Sequence, residues 1–250
     1  MNGVRRLLVG LFVVLLVGGA LTSAAESDVG VLRRYGEMLF LWIAAGVIVV
    51  HRHPQFLRLL VGALIGFASE IIGVATGVPF GHYHYTDTLG LAIAGVPLVM
   101  VAAWLVLLAY AWTWATLLTE RRWIARAIGA LAMMLYDLLV DPVAIGPMTL
   151  WVWDQAGFYY GVPLVNFVGW FLVSFVAMLP LRTSSSVHRM SHAVGVSVIA
   201  FFTVVALRSG IVLAGSIGAL LLVADATICR SLWMQYFAQW QVRVRMLNDR

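Results

Sequence analysis

The stretch LRLLVGALIGFASEIIGVATGVPFGHYHYTDTLG, residues 57–90, decides the fold. It begins as an unbroken run of Leu, Val, Ala, Ile and Gly, close to the roughly 20 apolar residues that cross a bilayer as a helix. One carboxylate, Glu70, sits inside that run. The end of the stretch changes character: His82, Tyr83, His84, Tyr85 and Asp87 crowd into six positions behind Gly77, Pro79 and Gly81. An acid held in an apolar helix, followed by an aromatic loop rich in turn residues, implies a membrane helix that ends at a built site.

The remainder of the chain extends this reading. Of 250 residues, 62% are hydrophobic and 11% charged, and the mean hydropathy is +0.96. A soluble domain carries about 25% charged residues, so the chain is expected in a membrane. The apolar runs are too long, and alternate too weakly, for barrel strands of about 10 residues. They predict helices near 4–22, 36–51, 57–78, 90–118, 123–143, 162–181, 193–208 and 210–229. The expected fold is all-α: a polytopic transmembrane bundle of about seven to eight helices, forming a single integral membrane domain over 1–250 whose motifs lie in 57–181. Residues 1–25 fit either a first membrane helix or a signal-like segment, with a retained helix preferred. Pro97, near the start of the fourth segment, predicts a kink or tilt there. Only Arg208, Ser209 and Gly210 part the last two segments, as in a tight hairpin or one broken element.

All 16 basic residues are arginines. The sequence pI near 9.8 invites a nucleic-acid partner, but the arginines cluster at helix ends, where membrane topology explains them. No nucleic acid is expected. With the N-terminus in the cytoplasm, only Arg33, Arg34 and Arg208 fall on the outer side. That asymmetry predicts a multi-pass protein of the cytoplasmic membrane, with the loops after the third and fifth segments on the non-cytoplasmic side. The single Cys229 forms no internal disulfide.

The chain also echoes itself. GVPLVMVAAW (95–104) returns as GVPLVNFVGW (161–170), and Glu70 moved by 67 positions lands on Asp137. Each copy is a helix with a carboxylate, an aromatic loop, then a helix that opens on Gly-Val-Pro. The echo reads either as coincidence, since Gly, Val, Pro and Leu are common in membrane helices, or as a parallel internal repeat, which would set its two acid-bearing helices facing a shared site.

Carboxylates in a bilayer are costly and point to function. Glu70, Asp137 and Asp141 are the candidates for acid–base catalysis, since a carboxyl group removed from water favours its neutral form and can protonate a substrate. Asp141 precedes Pro142, so a helix cap or turn is the competing role. Glu37, Asp87, Asp154 and Asp225 fall nearer the interfaces and suggest no chemistry. His82, His84 and Asp87 lack the third or fourth convergent ligand of a zinc site; His51, His53, His188 and His192 all lie on the inner side. No metal or other cofactor is expected. The aromatics Tyr83, Tyr85, Trp151, Trp153, Phe158, Tyr159, Tyr160 and Trp170 gather in and beside the two loops next to the acids. An interfacial belt accounts for such residues, but ring faces beside an acid also suit a carbocation.

Two other chemistries compete. Asp137 and Asp141 spell D-x-x-x-D, as in intramembrane prenyltransferases, although a second acidic motif and basic diphosphate ligands in the outer loops are missing. A proton-coupled transporter or lipid-binding membrane protein would require acids throughout the bilayer, whereas these concentrate in its outer half.

The motifs taken together carry a resemblance. They are Glu70-Ile-Ile-Gly73, Thr76-Gly-Val-Pro-Phe-Gly81, Tyr83, Tyr85, Gly95-Val-Pro-Leu98 and Trp104, then Asp137-Leu-Leu-Val-Asp141-Pro142, Trp151-Val-Trp153, Tyr159-Tyr-Gly-Val-Pro-Leu164, Asn166-Phe167 and Gly169-Trp170. In order and spacing, over about residues 60–180, the chain resembles the CruF-type membrane carotenoid hydratases of carotenoid biosynthesis. The resemblance implies cofactor-free addition of water to the terminal 1,2 double bond of an acyclic carotenoid end group. It also implies an isoprenoid substrate drawn from the lipid phase, and membrane lipids and other membrane enzymes of carotenoid synthesis as partners. A lycopene cyclase is the neighbouring activity to separate from it. The substrate-binding set expected on these grounds is Tyr83, Tyr85, Trp151, Trp153, Tyr159, Asn166 and Trp170. Segment 143–150, VAIGPMTL, matches nothing in the pattern.

Overall fold

A computed structural model describes residues 2–22, 30–51, 53–183, 188–230 and 234. Among these residues the chain forms eight helices: α1 (Asn2–Thr22), α2 (Gly30–Val50), α3 (Phe56–Thr76), α4 (Val99–Leu118), α5 (Arg122–Ile145), α6 (Leu164–Ala177), α7 (Arg189–Arg208) and α8 (Val212–Ile228). Four short strands lie in the connections: β1 (Tyr83–Tyr85), β2 (Ala92–Ile93), β3 (Val96–Pro97) and β4 (Trp151–Trp153). The protein is an all-α polytopic bundle. Five helices (α1, α3, α4, α5 and α7) are long and apolar enough to span a membrane, and α6, α8 and the end of α2 are shorter apolar segments. The first segment is seated on the bundle: Phe12 of α1 is buried against Phe40 of α2, ring centres 5.3 Å apart, and the Arg5 Nε donates to the Val50 carbonyl.

α4 is apolar all round because it is enclosed all round, packing on α2, α3, α5, α7 and α8. α3 presents to it a face of Leu59, Gly62, Ala63, Gly66, Phe67, Glu70 and Gly73, the spacing of one helical stripe. Small residues on that stripe permit close approach. A Cβ on Gly66 would stand 2.2 Å from the Trp104 ring, and one on Gly62 2.4 Å from the Ala177 carbonyl oxygen. Glu70 is therefore pressed into the bundle by the glycines below it.

Two differences from the sequence expectation bear on the site. α4 begins at Val99 rather than 90, because residues 91–98 fold as a β2–β3 hairpin. Its turn residues Ala94 and Gly95 both have positive φ (49° and 82°), the pattern of a two-residue hairpin turn. Pro97 thus lies in β3 and kinks no helix. The second difference is at Asp141-Pro142, which ends nothing: α5 runs on to Ile145. Pro142 has no N–H for the Leu138 carbonyl four residues back, and the Tyr159 hydroxyl donates to that oxygen instead, at 2.8 Å. α7 and α8 form the tight hairpin, turning at Gly210 with φ of 73°.

Candidate active site

The two loops meet. β1 pairs antiparallel with β4 in the register Tyr83↔Trp153, His84↔Val152 and Tyr85↔Trp151. Side chains alternate across a strand, so the four aromatics share the inner face. His84 and Val152 point outward and are exposed, and His84 meets only Asp154, at 3.0 Å. The sequence crowding of His with Tyr is thus a strand's alternation between water and core.

Below this strand pair lie the acids. Glu70 is buried, and its two oxygens have different partners. Oε2 accepts from the Tyr83 hydroxyl and from the Tyr85 hydroxyl at 3.1 Å. Oε1 accepts from Trp104 Nε1 at 3.3 Å. Burial, and then the adjacent Glu70 carboxyl, push both phenols far above the ordinary tyrosine range, so both stay as hydroxyls.

Asp137 and Asp141, four apart on α5, share one face and one partner. The side-chain amide of Asn166, from the first turn of α6, donates to Asp137 Oδ2 and to Asp141 Oδ2, each at 2.6 Å. Trp151 Nε1 donates to the other oxygen of Asp141, also at 2.6 Å. The two acidic groups are joined through the wall: Tyr85, bonded to Glu70, packs edge-on against Trp151, bonded to Asp141, with ring centres 5.7 Å apart.

Of the expected residues, Glu70, Tyr83 and Tyr85 form one hydrogen-bonded group and Asp137, Asp141, Trp151 and Asn166 a second, and the Tyr85–Trp151 ring contact joins them. Trp153 packs on Tyr83 at 4.9 Å between ring centres, and its buried Nε1 has no hydrogen-bond partner among the described residues. Trp170 touches neither acid; it stacks on Trp104 at 4.5 Å and 12°. Tyr159 is occupied with the α5 backbone, and burial pushes its phenol up to about 12. Asn166, expected at the substrate, instead holds two carboxyl groups. Trp104 escaped the site set although it closes the echoed Gly-Val-Pro motif. A further buried group around Asp225 was also missed, since its position near the end of the last helix suggested an interface.

The fold and these residues define a class: a multi-pass membrane protein with a buried acid cluster roofed by aromatic side chains. The chain belongs to the family described as carotenoid biosynthesis protein, whose profile matches residues 35–225. It is similar to bisanhydrobacterioruberin hydratase of Haloarcula japonica, with 33% identity over 144 residues, which is 55% of this chain and 48% of that protein. The match thus spans about half the length of that curated relative. No solved structure matches the chain.

Proposed function

We propose that the protein hydrates a carotenoid, adding water across the terminal 1,2 double bond of an acyclic end group. The family, and the name of the Haloarcula relative, support the substrate class and the reaction type. The observation that carries the roles is the contrast between the partners of the two acid groups. A hydroxyl can donate to a carboxylate or accept from a carboxylic acid, whereas an indole or amide N–H only donates. Trp104 therefore fixes Oε1 of Glu70 as an acceptor, and Oε2, between two phenols, is the oxygen that carries and releases a proton. Asp141 has N–H donors on both oxygens, an arrangement suited to a carboxylate.

In the proposed cycle Glu70, as the neutral acid, gives its proton to C-2 of the alkene. The π electrons form the new C–H bond and leave a tertiary cation at C-1. Tyr83, Tyr85, Trp151 and Trp153 face that cation with ring π density. Water attacks C-1, and Asp141, positioned with Asp137 by Asn166, takes the proton released as the C–O bond forms. The product is a tertiary alcohol. A proton returned from Asp141 to Glu70, past the Tyr85 hydroxyl, restores the start; the balance is one alkene plus one water, and no cofactor takes part. General acid catalysis of this kind contributes about 10²–10⁴-fold to rate.

The arginine asymmetry supports a cytoplasmic-membrane location with both motif loops outside. A polyene entering from the lipid phase would then present its end to a site within reach of outer water. Expression in a host that accumulates acyclic carotenoids tests the reaction. The expected result is pigment heavier by one water with an unchanged chromophore. Pigment of unchanged mass and shortened chromophore would mean a cyclase, and a pigment lengthened by a prenyl unit would mean a prenyltransferase. No change with any acyclic substrate would reject an enzymatic role and favour transport or lipid binding.

A further inference from the structure

A second buried polar cluster lies about 15 Å further along α4, counted from Trp104 to Trp114 at the helical rise. Tyr110 and Trp114 come from α4, His192 from the first turn of α7, Asp225 from the last turn of α8, and Cys229 from the residue just past it. All five are buried. Asp225 and Cys229, four apart, lie on one face, and His192 meets them from the neighbouring helix. One ligand atom from each of His192, Asp225 and Cys229 falls within 4.8 Å of the other two.

We propose that His192, Asp225 and Cys229 bind a divalent transition-metal cation of the borderline class, with zinc as the type ion. The hydrogen bonding around Asp225 is lopsided. Its Oδ1 is approached by the Tyr110 hydroxyl and Trp114 Nε1, both at 2.8 Å, by His192 Nε2 at 3.0 Å, and by Cys229 Sγ at 3.6 Å. Among the described residues its Oδ2 has His192 Nε2 alone, at 3.2 Å. A carboxylate offers about two lone-pair sites on each oxygen, so four approaching groups crowd one atom and leave the other nearly empty. A cation resolves this. Tyr110 and Trp114 keep Oδ1, Oδ2 becomes a ligand, neutral His192 gives its Nε2 lone pair, and Cys229 binds as the thiolate with loss of its proton to water.

Charge and chemistry agree with that arrangement. A carboxylate and a thiolate cancel the two positive charges of the ion, which removes the net charge that a low-dielectric interior penalises. Imidazole, thiolate and carboxylate are the ordinary zinc donors, usually four in a tetrahedron. The fourth place would fall to the Tyr136 hydroxyl or to a water held by it. Among the described residues the buried Tyr136 hydroxyl has no hydrogen-bond partner, and its ring packs on Tyr110 and Trp114 with centres 5.3 and 5.9 Å away. Tyr110 and Trp114 then act as outer-shell donors that orient the carboxylate. Such an ion fastens the α7–α8 hairpin to α4 and α5. The expectation of no metal had weighed only the outer His82, His84 and Asp87; this cluster uses different residues at the other end of the bundle.

The test is elemental analysis of the full-length protein, purified in detergent without an affinity tag, together with loading of metal-stripped protein with Co²⁺. Wild type should hold about one zinc per chain. The cobalt form should show a thiolate-to-cobalt charge-transfer band, which must come from Cys229 because the chain has no other cysteine. Cys229→Ser keeps a hydrogen-bonding group of similar size; it should elute as a folded protein, lose the band and lose its zinc. Tyr110→Phe should weaken zinc binding by about 10- to 100-fold through the outer shell. His84→Ala, at the exposed outer pair, should retain the ion. Wild type with no stoichiometric metal and no cobalt band overturns the proposal, as does Cys229→Ser that keeps its zinc. If Cys229→Ser fails to fold, the wild-type cobalt band decides alone.

Discussion

The hairpin α3–α4 and the hairpin α5–α6 are built alike and equipped differently. Each has an acid on its first helix and contributes one strand to the β1–β4 pair. Each then turns through a left-handed pair of residues, Ala94-Gly95 in one and Tyr160-Gly161 (φ 52° and 92°) in the other, directly before Val-Pro. The tryptophans that close the two echoed motifs, Trp104 and Trp170, stack on each other. Within that shared frame the partners diverge. Glu70 is held by two hydroxyls and one indole, whereas the Asp137–Asp141 pair is held by N–H donors alone. Asn166 occupies the position that Met100 has in the first copy, and Asp141 that of Val74, so two residues of the echo separate a single acid from a bridged pair. The lesson is that a repeated scaffold can present two carboxyl sites whose proton chemistry is set by the type of donor beside each.

The largest effect should come from removing the proton that the first hairpin carries. Glu70→Gln keeps the shape and the acceptor for Trp104 but cannot act as an acid, and hydration should fall by about 10²–10⁴-fold. Product analysis on membranes with equal amounts of folded variant measures this. Full activity would transfer the acid role to the second hairpin and reverse the contrast.

Next comes the bridge that distinguishes the second hairpin. Asn166→Leu removes both N–H donors and frees two carboxyl groups to separate; a misplacement of about 1 Å costs on the order of 10²-fold in rate. Asp137, left without its donor while Asp141 keeps Trp151, also costs about 1–3 kcal/mol of stability, visible as a lower melting temperature in detergent. An Asn166→Leu variant as active as wild type would mean that the pair is not used. A smaller loss is expected from Tyr85→Phe. It deletes one of three hydrogen bonds to the neutral Glu70, worth about 0.5–1.5 kcal/mol, or roughly two- to tenfold in rate.

The bundle itself was legible because membrane helices carry their own signal. Eight apolar segments and their arginine-marked ends correspond to α1–α8, and the acids flanked by aromatics marked the candidate site. What escaped were features that depend on a partner distant in sequence. No local pattern tells that the Tyr159 hydroxyl, 21 residues away, replaces the hydrogen bond denied by Pro142. That substitution is why Asp141 lies within a continuing helix and not at its end. Asn166 resembled a substrate ligand because its two carboxylate partners lie 25 and 29 residues upstream. Ala94-Gly95 was a hairpin signal hidden in an apolar run. Asp225 looked interfacial because its donors arrive from α4 and α7.

The smallest effects should fall on the outward face of the strand pair, where the two hairpins become equivalent again. His84 of β1 and Val152 of β4 are register partners that point away from the acids. His84 pairs with Asp154 across two well-exposed side chains, and ion pairs screened by water contribute little. His84→Ala and Val152→Thr should each change stability by less than about 0.5 kcal/mol, as surface substitutions usually do, and leave the hydration rate unaltered. Their inward neighbour Tyr85, a single residue along β1 from His84, should by contrast lose rate. Parallel rate measurements on the three variants would therefore resolve the alternation position by position. A large loss at His84 would place chemistry on the exposed face and break the assignment of the site to the buried acids.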